Sequence, residues 1–416
     1  MIVLSKDWTS AADMSFVKFR TTLAVGLTCF GKLDASRTSD LLALVCQQCE
    51  TEDHVTEERR YRNCLLGDCD NIPATQGRRH PVLNFLVRGG SGPAESLYIG
   101  EAPKPQITST QVLVQVKAFG LNRMDIMQRE GGYPVPPGAS QILGVEFSGT
   151  ISEVGSDVVE WKVGDHVLGL AGGGAYAEYI AVPSTHVIRK PDNLTWIEAA
   201  SVPEAFLTAY QALVLIGHVR KNDDILIHAG ASGVGIAAIQ LARYFGANTV
   251  TVTTSKQEKI DWLLGMSNGP THAVNYKTED FAERVKTITA GKGVNVVIDF
   301  VGQSHFNKNI NALAMDGRMT MLALLSGSLV EKVNLGPLLY KRLHIEGSTL
   351  RSRSAAYQAD LIQQFSSNVF GNISGEEGKG SIKTYIHKVY SWDQIQDAHK
   401  EMEANQNIGK IMVEIT

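Results

Sequence analysis

The chain of 416 residues reads as an α/β protein: a doubly wound parallel sheet joined to a mostly β unit, behind an N-terminal extension of different composition. Three observations predict this. A short apolar run at 225–227 leads into the turn residues Gly230, Ser232, Gly233 and Gly235, and a helix opens directly after them with apolar residues at 236, 239, 241 and 245. Strand-like and helix-like runs then alternate as far as 347, the order that makes a parallel sheet with helices on both faces. Ahead of them, glycine-punctuated short strands follow one another from about residue 83, the pattern of a compact β unit.

Residues 1–83 carry all five cysteines: Cys29, Cys46, Cys49, Cys64 and Cys69. Cys46-x2-Cys49 and Cys64-x4-Cys69 approach zinc-ribbon spacing, yet the second pair is looser than a good knuckle and 50–63 is charged without a strand pattern. The expectation is a poorly ordered extension with free thiols; a zinc site is the alternative. The stretch 50–80 ends in Arg78-Arg79-His80 and reads as a solvated linker. In the β unit, 112–119 alternates as a half-buried strand does, and further strands are expected at 145–154, 166–170 and 175–182. Helical stretches follow at 196–200 and 205–216. The parallel sheet takes strands at 225–228, 249–253, 273–276, 294–300, 318–325 and 344–347, with helices at 236–245, 256–264, 280–289 and 307–314. The last segment reads helix 354–365, strand 387–390, helix 392–403, strand 410–415.

A net charge of −4 and 44% hydrophobic residues suit a globular protein that needs neither nucleic acid nor membrane as a partner. The apolar runs 23–30 and 41–45 are far below transmembrane length. No basic n-region precedes a clean apolar stretch, and Asp7 and Asp13 sit early for a mitochondrial presequence. A cytosolic protein acting on a small molecule is expected.

The strand, turn and helix start around Gly230 form a dinucleotide phosphate site. Backbone N–H groups at a helix N-terminus face a pyrophosphate, and missing side chains let the backbone approach it. The pattern Gly-x-Gly-x-x-Ala stands at Gly233, Gly235 and Ala238. NAD-specific sites usually end the second strand in a carboxylate for the ribose 2′-hydroxyl. Here that strand ends Thr253-Thr254-Ser255-Lys256-Gln257-Glu258-Lys259, whose hydroxyls and two lysines suit a 2′-phosphate, so NADPH is expected over NADH. The alternative for Lys256 and Lys259 is two ordinary solvated helix charges. Gly302 and Ser326 follow the fourth and fifth strands, at the carboxyl edge where such sheets bind ligands. His228 ends a buried strand and reads as a hydrogen-bonded core histidine.

Gly144-Val145-Glu146-Phe147-Ser148-Gly149, then Gly155, and Gly164-Asp165-His166-Val167 resemble the medium-chain dehydrogenase/reductase superfamily. Residues 222–226, the turn, and Gln240-Leu241-Ala242-Arg243 resemble its quinone oxidoreductase branch, as do Gly120-Leu121-Asn122-Arg123-Met124-Asp125, Tyr133 before Pro136-Pro137-Gly138, Thr349-Leu350-Arg351-Ser352-Arg353 and Asn407-Ile408-Gly409-Lys410. The resemblance runs from about residue 83 to the C-terminus. It implies a GroES-like catalytic domain over 84–205 and 348–416, a Rossmann NADPH-binding domain over 206–347, and a homodimer joined through the edges of the nucleotide sheets. Zinc-dependent members have Gly-His-Glu where this chain has Gly-Val-Glu, and a cysteine near the position of Leu121-Asn122. Val145 cannot ligate a metal and 84–416 holds no cysteine, so a zinc-independent enzyme is expected.

The resemblance further implies a site. Asn122 faces the nicotinamide, and Tyr133 donates a hydrogen bond, stacks on a quinone, or simply packs. Thr208 reaches the nicotinamide side or back-bonds to its own helix. Gly230, Ser232, Gly233, Val234 and Gly235 hold the cofactor's phosphates, with the Ser232 hydroxyl either touching them or only fitting the turn. Tyr276 lines the adenosine phosphate, and Asn407 and Lys410 make a C-terminal cofactor contact unless Lys410 is merely solvated. The implied activity is hydride transfer from NADPH to a quinone. Reduction of an activated C=C bond is the alternative within the superfamily, and a crystallin-like RNA-binding protein is the alternative of another class.

Overall fold

The computed structural model describes residues 81–374 and 380–415. Residues 1–80, with the five cysteines and most of the expected extension, lie outside the described residues. The first seven strands are β1 (Pro81–Val87), β2 (Leu97–Pro103), β3 (Gln111–Gly120), β4 (Glu146–Val154), β5 (His166–Leu170), β6 (Tyr179–Pro183) and β7 (Val187–Arg189). The nucleotide domain holds β8 (Asp224–Ile227), β9 (Thr249–Thr254), β10 (His272–Asn275), β11 (Val294–Asp299), β12 (Leu313–Met321) and β13 (His344–Gly347). The chain closes with β14 (Ile386–Ser391) and β15 (Lys410–Glu414).

The nucleotide sheet runs β10-β9-β8-β11-β12-β13, all neighbours parallel. That is the α/β doubly wound order expected from the alternation. The strand order reverses between β8 and β11, the switch point at whose carboxyl ends such sheets bind ligands. The helix Gly233–Tyr244 buries Ile236, Ile239 and Leu241 against Ile225, Ile227 and Val252 in one apolar core. Each such side chain contributes roughly 1.5–3 kcal/mol on leaving water.

In the mostly β domain the sheet runs β14-β15-β3-β4-β5-β7, with β6 also on β3. The C-terminal strand β15 returns antiparallel to β3, pairing Met412 with Gly120, and so brings Lys410 beside Leu121. β3 was expected to be half-buried; it is buried along most of its length. It lies at the sheet centre, with Phe119 and Val116 in one core and Ala118 against Met412 and Ala200 on the other side. β12 differs more. It starts at Leu313, five residues before the expected strand, and ends at Met321. The register on β11 jumps from Leu313 to Arg318, and Asp316 in the looped-out piece has φ +58°, a break that apolar patterning does not encode. The stretch expected as one helix over 205–216 starts at Pro203 and changes to π-helical geometry over Gln211–Ile216. Among the described residues no helix is long and apolar enough to cross a membrane.

Candidate active site

Asn122 follows β3 and opens the helix Arg123–Arg129. Its backbone N–H donates to the Asp125 carboxylate at 2.8 Å, which leaves its side chain free to turn into the domain. There Asn122 Nδ2 donates to Glu146 Oε1 at 2.9 Å, and Asn122 Oδ1 accepts from Lys410 Nζ at 2.7 Å. Lys410 Nζ also donates to the Leu121 carbonyl at 2.8 Å and lies 2.5 Å from Glu146 Oε1. Glu146 Oε2 accepts the backbone N–H of Glu204 at 2.9 Å, at the start of the helix Pro203–Tyr210. A side chain at Gly120 would collide with the Glu146 carboxylate, so the carboxylate lies directly over the end of β3. Lys410 and Glu146 are thus a buried ion pair whose remaining valences are met by hydrogen bonds, the condition under which such a pair survives desolvation.

One turn further along the same helix, Thr208 Oγ1 stands 3.4 Å from Glu204 Oε1. Burial, reinforced by the neighbouring Glu146 charge, pushes the Glu204 carboxyl up to about 7. Burial pushes Asp125 up to about 6 against the backbone donors of Asn122 and Gly144. Tyr133 is half-buried with the Arg351 guanidinium 5.6 Å from its ring centroid. Burial and then the Glu204 charge raise its phenol above the usual value, so it stays protonated and donates. Arg351 is held by the Gly172 carbonyl at 2.7 Å and by Gln128 Oε1 at 2.8 Å.

The nucleotide turn abuts this cluster. A Cβ on Gly233 would stand 2.6 Å from Lys410 Cδ, so the turn rests on the lysine stem. Ser232 caps the helix, its Oγ accepting the Gly235 N–H at 3.0 Å. Gly233 and Val234, the next two residues, have no intrahelical acceptor for their N–H groups and are partly exposed. Gly230 and Gly235 are buried, and a Cβ on Gly235 would meet the Ala229 carbonyl oxygen. First-turn backbone donors at a glycine-rich turn fit a pyrophosphate.

The other expected cofactor residues lie along the same sheet edge. Ser255 and Lys256 follow β9; Ser255 is half-buried and Lys256 exposed. Lys259 is buried, and its ammonium donates to the carbonyls of Asn405 at 2.9 Å and Asn407 at 2.8 Å. Tyr276, just past β10, is 38% exposed with its ring against His305. Gly302 takes φ +79° after β11 and donates to Asp299. Ser326 is exposed, but its hydroxyl is spent on Val301 O and Ser304 N–H. Asn407 Nδ2 closes onto the Gly409 carbonyl. Gly409 bridges to Ser232, which joins the C-terminal segment to the turn. His228 is fully buried between Thr253 Oγ1 and Asn309 Oδ1, a core histidine as expected.

Sequence reasoning missed Glu146, Glu204, Asp125 and Arg351 as members of the cluster. A lone acid in the apolar run Val202-Pro203-Glu204-Ala205-Phe206 was the available signal for Glu204.

Residues 108–192 match the alcohol dehydrogenase GroES-like domain family, and residues 233–367 match the zinc-binding dehydrogenase family. The human synaptic vesicle membrane protein VAT-1 homolog is 30% identical over 345 residues, covering 80% of this chain and 86% of that relative. The chain belongs to the medium-chain dehydrogenase/reductase superfamily. The Danio rerio VAT-1 homolog is 34% identical over 325 residues, 74% of this chain and 65% of the relative. Among solved structures, Escherichia coli quinone oxidoreductase complexed with NADPH superposes with a TM-score of 0.69 at 29% identity, over 80% of this chain and all but 1% of that one, which is covered to 99%. CurK enoyl reductase superposes with a TM-score of 0.70 at 27% identity, over 80% of this chain and 99% of that one. The superfamily member described here therefore sits among oxidoreductases with both quinone and enoyl reductase neighbours.

Proposed function

We propose that this dehydrogenase/reductase is a zinc-independent, NADPH-dependent quinone reductase. The observation that carries the reading is the seating of the glycine turn on the stem of Lys410, whose ammonium lies in the polar cluster of Asn122 and Glu146. A dinucleotide on that turn would be held by the N–H groups of Gly233 and Val234. Ser255 and Lys256 would take its 2′-phosphate, since Lys259 is committed to two carbonyls. When bound, the cofactor supplies hydride. The chain positions the acceptor and supplies donors from Asn122, Tyr133 and Thr208. Quinones need little further polarisation, because the reduced anion is delocalised.

Where zinc-dependent relatives place ligands, this chain has Val145, 1% exposed, and Leu121-Asn122, none of them a cysteine or a histidine. The positive charges at the cluster are the Lys410 ammonium and the Arg351 guanidinium. Both support a mechanism without a metal. Leu335, Leu339 and Tyr340, 66–74% exposed beside the edge strand β13, support a homodimer. The deciding experiment follows NADPH and NADH oxidation on chelator-treated protein with an ortho-quinone and with a 2-enoyl thioester. Quinone turnover with NADPH is expected; turnover confined to the enoyl substrate, or abolished by chelation, would overturn the reading.

A further inference from the structure

Three carboxyl groups and two cations are buried in the polar cluster around Asn122. Glu146, Asp125 and Glu204 are 0%, 1% and 7% exposed, and Lys410 and Arg351 are 6% and 5% exposed. Three like charges against two cations leave an uncompensated charge in a desolvated cluster, which is relieved when one carboxyl keeps its proton. The hydrogen bonds say which. Glu146 receives Lys410, Asn122 Nδ2 and the Glu204 N–H. Asp125 receives the N–H groups of Asn122 and Gly144. The Glu204 carboxyl has one contact, Thr208 Oγ1 at 3.4 Å. It is the group least able to hold a full charge, in line with the elevation that burial and Glu146 impose on it.

A second observation gives the proton a destination. Arg351 Nη2 is buried with no hydrogen-bond partner, although Nε and Nη1 are fixed by Gly172 and Gln128. Guanidinium donors are not left idle in an interior without cost. Arg351 lies over the Tyr133 ring and within electrostatic reach of Glu204. The groups facing Glu204 are therefore Glu146 from β4, Lys410 from β15, Asp125 from the helix Arg123–Arg129, Tyr133 from the loop after it, and Arg351 from the segment after β13.

We infer that Glu204 is the proton donor of this site and that Arg351 Nη2 receives the substrate oxygen as it becomes negative. The inference rests on the reductase reading. A bound dihydronicotinamide would supply the two electrons as hydride, so that negative charge would develop on the substrate's carbonyl-derived oxygen. Arg351 donates a hydrogen bond to that oxygen. The Glu204 O–H bond breaks, the proton bonds to the substrate oxygen, and the electron pair of the broken bond stays on Glu204. The resulting carboxylate, repelled by Glu146, takes its next proton from water. Thr208, one turn on, orients the carboxyl.

The test uses the full chain and Glu204→Gln, which keeps an amide donor and loses the exchangeable acid. In the cofactor-free protein, infrared difference spectra between acid and alkaline pH should show a protonated-carboxyl band that titrates with a midpoint of about 7. That component should be missing in Glu204→Gln, which keeps only the Asp125 component with its midpoint of about 6. With NADPH and quinone, kcat of the wild type should fall above that midpoint. The variant should lose this limb and about 10²-fold or more in kcat, with NADPH affinity by fluorescence unchanged. Arg351→Lys should raise KM for the quinone while leaving the infrared band in place. A variant that keeps kcat and the alkaline limb, or a wild type without the band, overturns the inference. Wild-type protein that shows the band but reduces neither quinone nor enoyl substrate overturns the reductase reading instead.

Discussion

Lys410→Met keeps most of the side-chain stem under Gly233 and removes one charge. The lost ammonium is bonded to Glu146 Oε1, Asn122 Oδ1 and the Leu121 carbonyl at 2.5–2.8 Å. Glu146 retains Asn122 Nδ2 and the Glu204 N–H, but its charge has no cation beside it in a fully buried position. Breaking a buried pair from one side costs about 3–5 kcal/mol, which corresponds to a Tm fall of roughly 3–6 °C in a chain of this size. Urea unfolding of the wild type, Lys410→Met, Glu146→Gln and the double variant checks it. Each single variant strands one member of the pair, whereas the double variant removes both charges. The cycle should therefore give a coupling of about 2 kcal/mol or more, with the double variant losing less than the sum. Additive losses, or a Lys410→Met loss below about 1 kcal/mol, would show that the pair is solvated like a surface bridge and refute the reasoning.

Acid should destabilise the fold through two buried histidines. Burial holds His228 down to about 4 and His399 down to about 3, whereas the unfolded chain titrates near 6.5. Above about 6.5 both states are neutral there. As pH falls below that value the unfolded state binds protons the folded state refuses, so stability declines towards the folded values. Urea midpoints measured across this window should decline less steeply in His228→Gln; an equal slope would exclude His228 as a contributor. Gly235→Ala places a methyl against the Ala229 carbonyl oxygen and must push the turn outward. NADPH affinity should weaken at least tenfold, about 1.4 kcal/mol, by fluorescence titration, and unchanged binding would contradict the turn's role. Lys256→Ala should weaken NADPH and leave NADH affinity in place, because only the former carries the 2′-phosphate; equal losses would remove Lys256 from that contact.

Most of the fold was legible because burial imposes period on sequence. The runs feeding β8, β9 and β11 and the glycine turn left little room for another α/β arrangement. β12 escaped because its early start depends on a looped-out segment and a positive φ at Asp316, neither of which alters hydropathy. The site divides the same way. Asn122, Tyr133 and the turn stand in local patterns. The partners of Lys410 come from β4 and from the end of β3, nearly 300 residues earlier in the chain for the Leu121 and Asn122 contacts, where |i−j| is 289 and 288. Only the return of β15 onto β3 brings them together. Lys259 illustrates the converse: its charge suggested a phosphate, and its burial under two carbonyls is a tertiary fact.

The bridge between Ser232 and Gly409 has a thermodynamic consequence. The backbone that reaches the nucleotide turn continues, one residue later, into the lysine of the polar cluster, and Lys259 ties the preceding loop to the helix after β9. Three regions that belong to different stretches of sequence therefore share one mechanical link. If occupancy of the turn shifts that segment, the affinity at the cluster changes by some factor, and occupancy of the cluster must change affinity at the turn by the same factor. Ordered binding, with one ligand preparing the seat of the other, then needs no moving lid. On the proposed function, the segment around Asn407 to Lys410 would belong to both seats, and a change there would act on cofactor and substrate together.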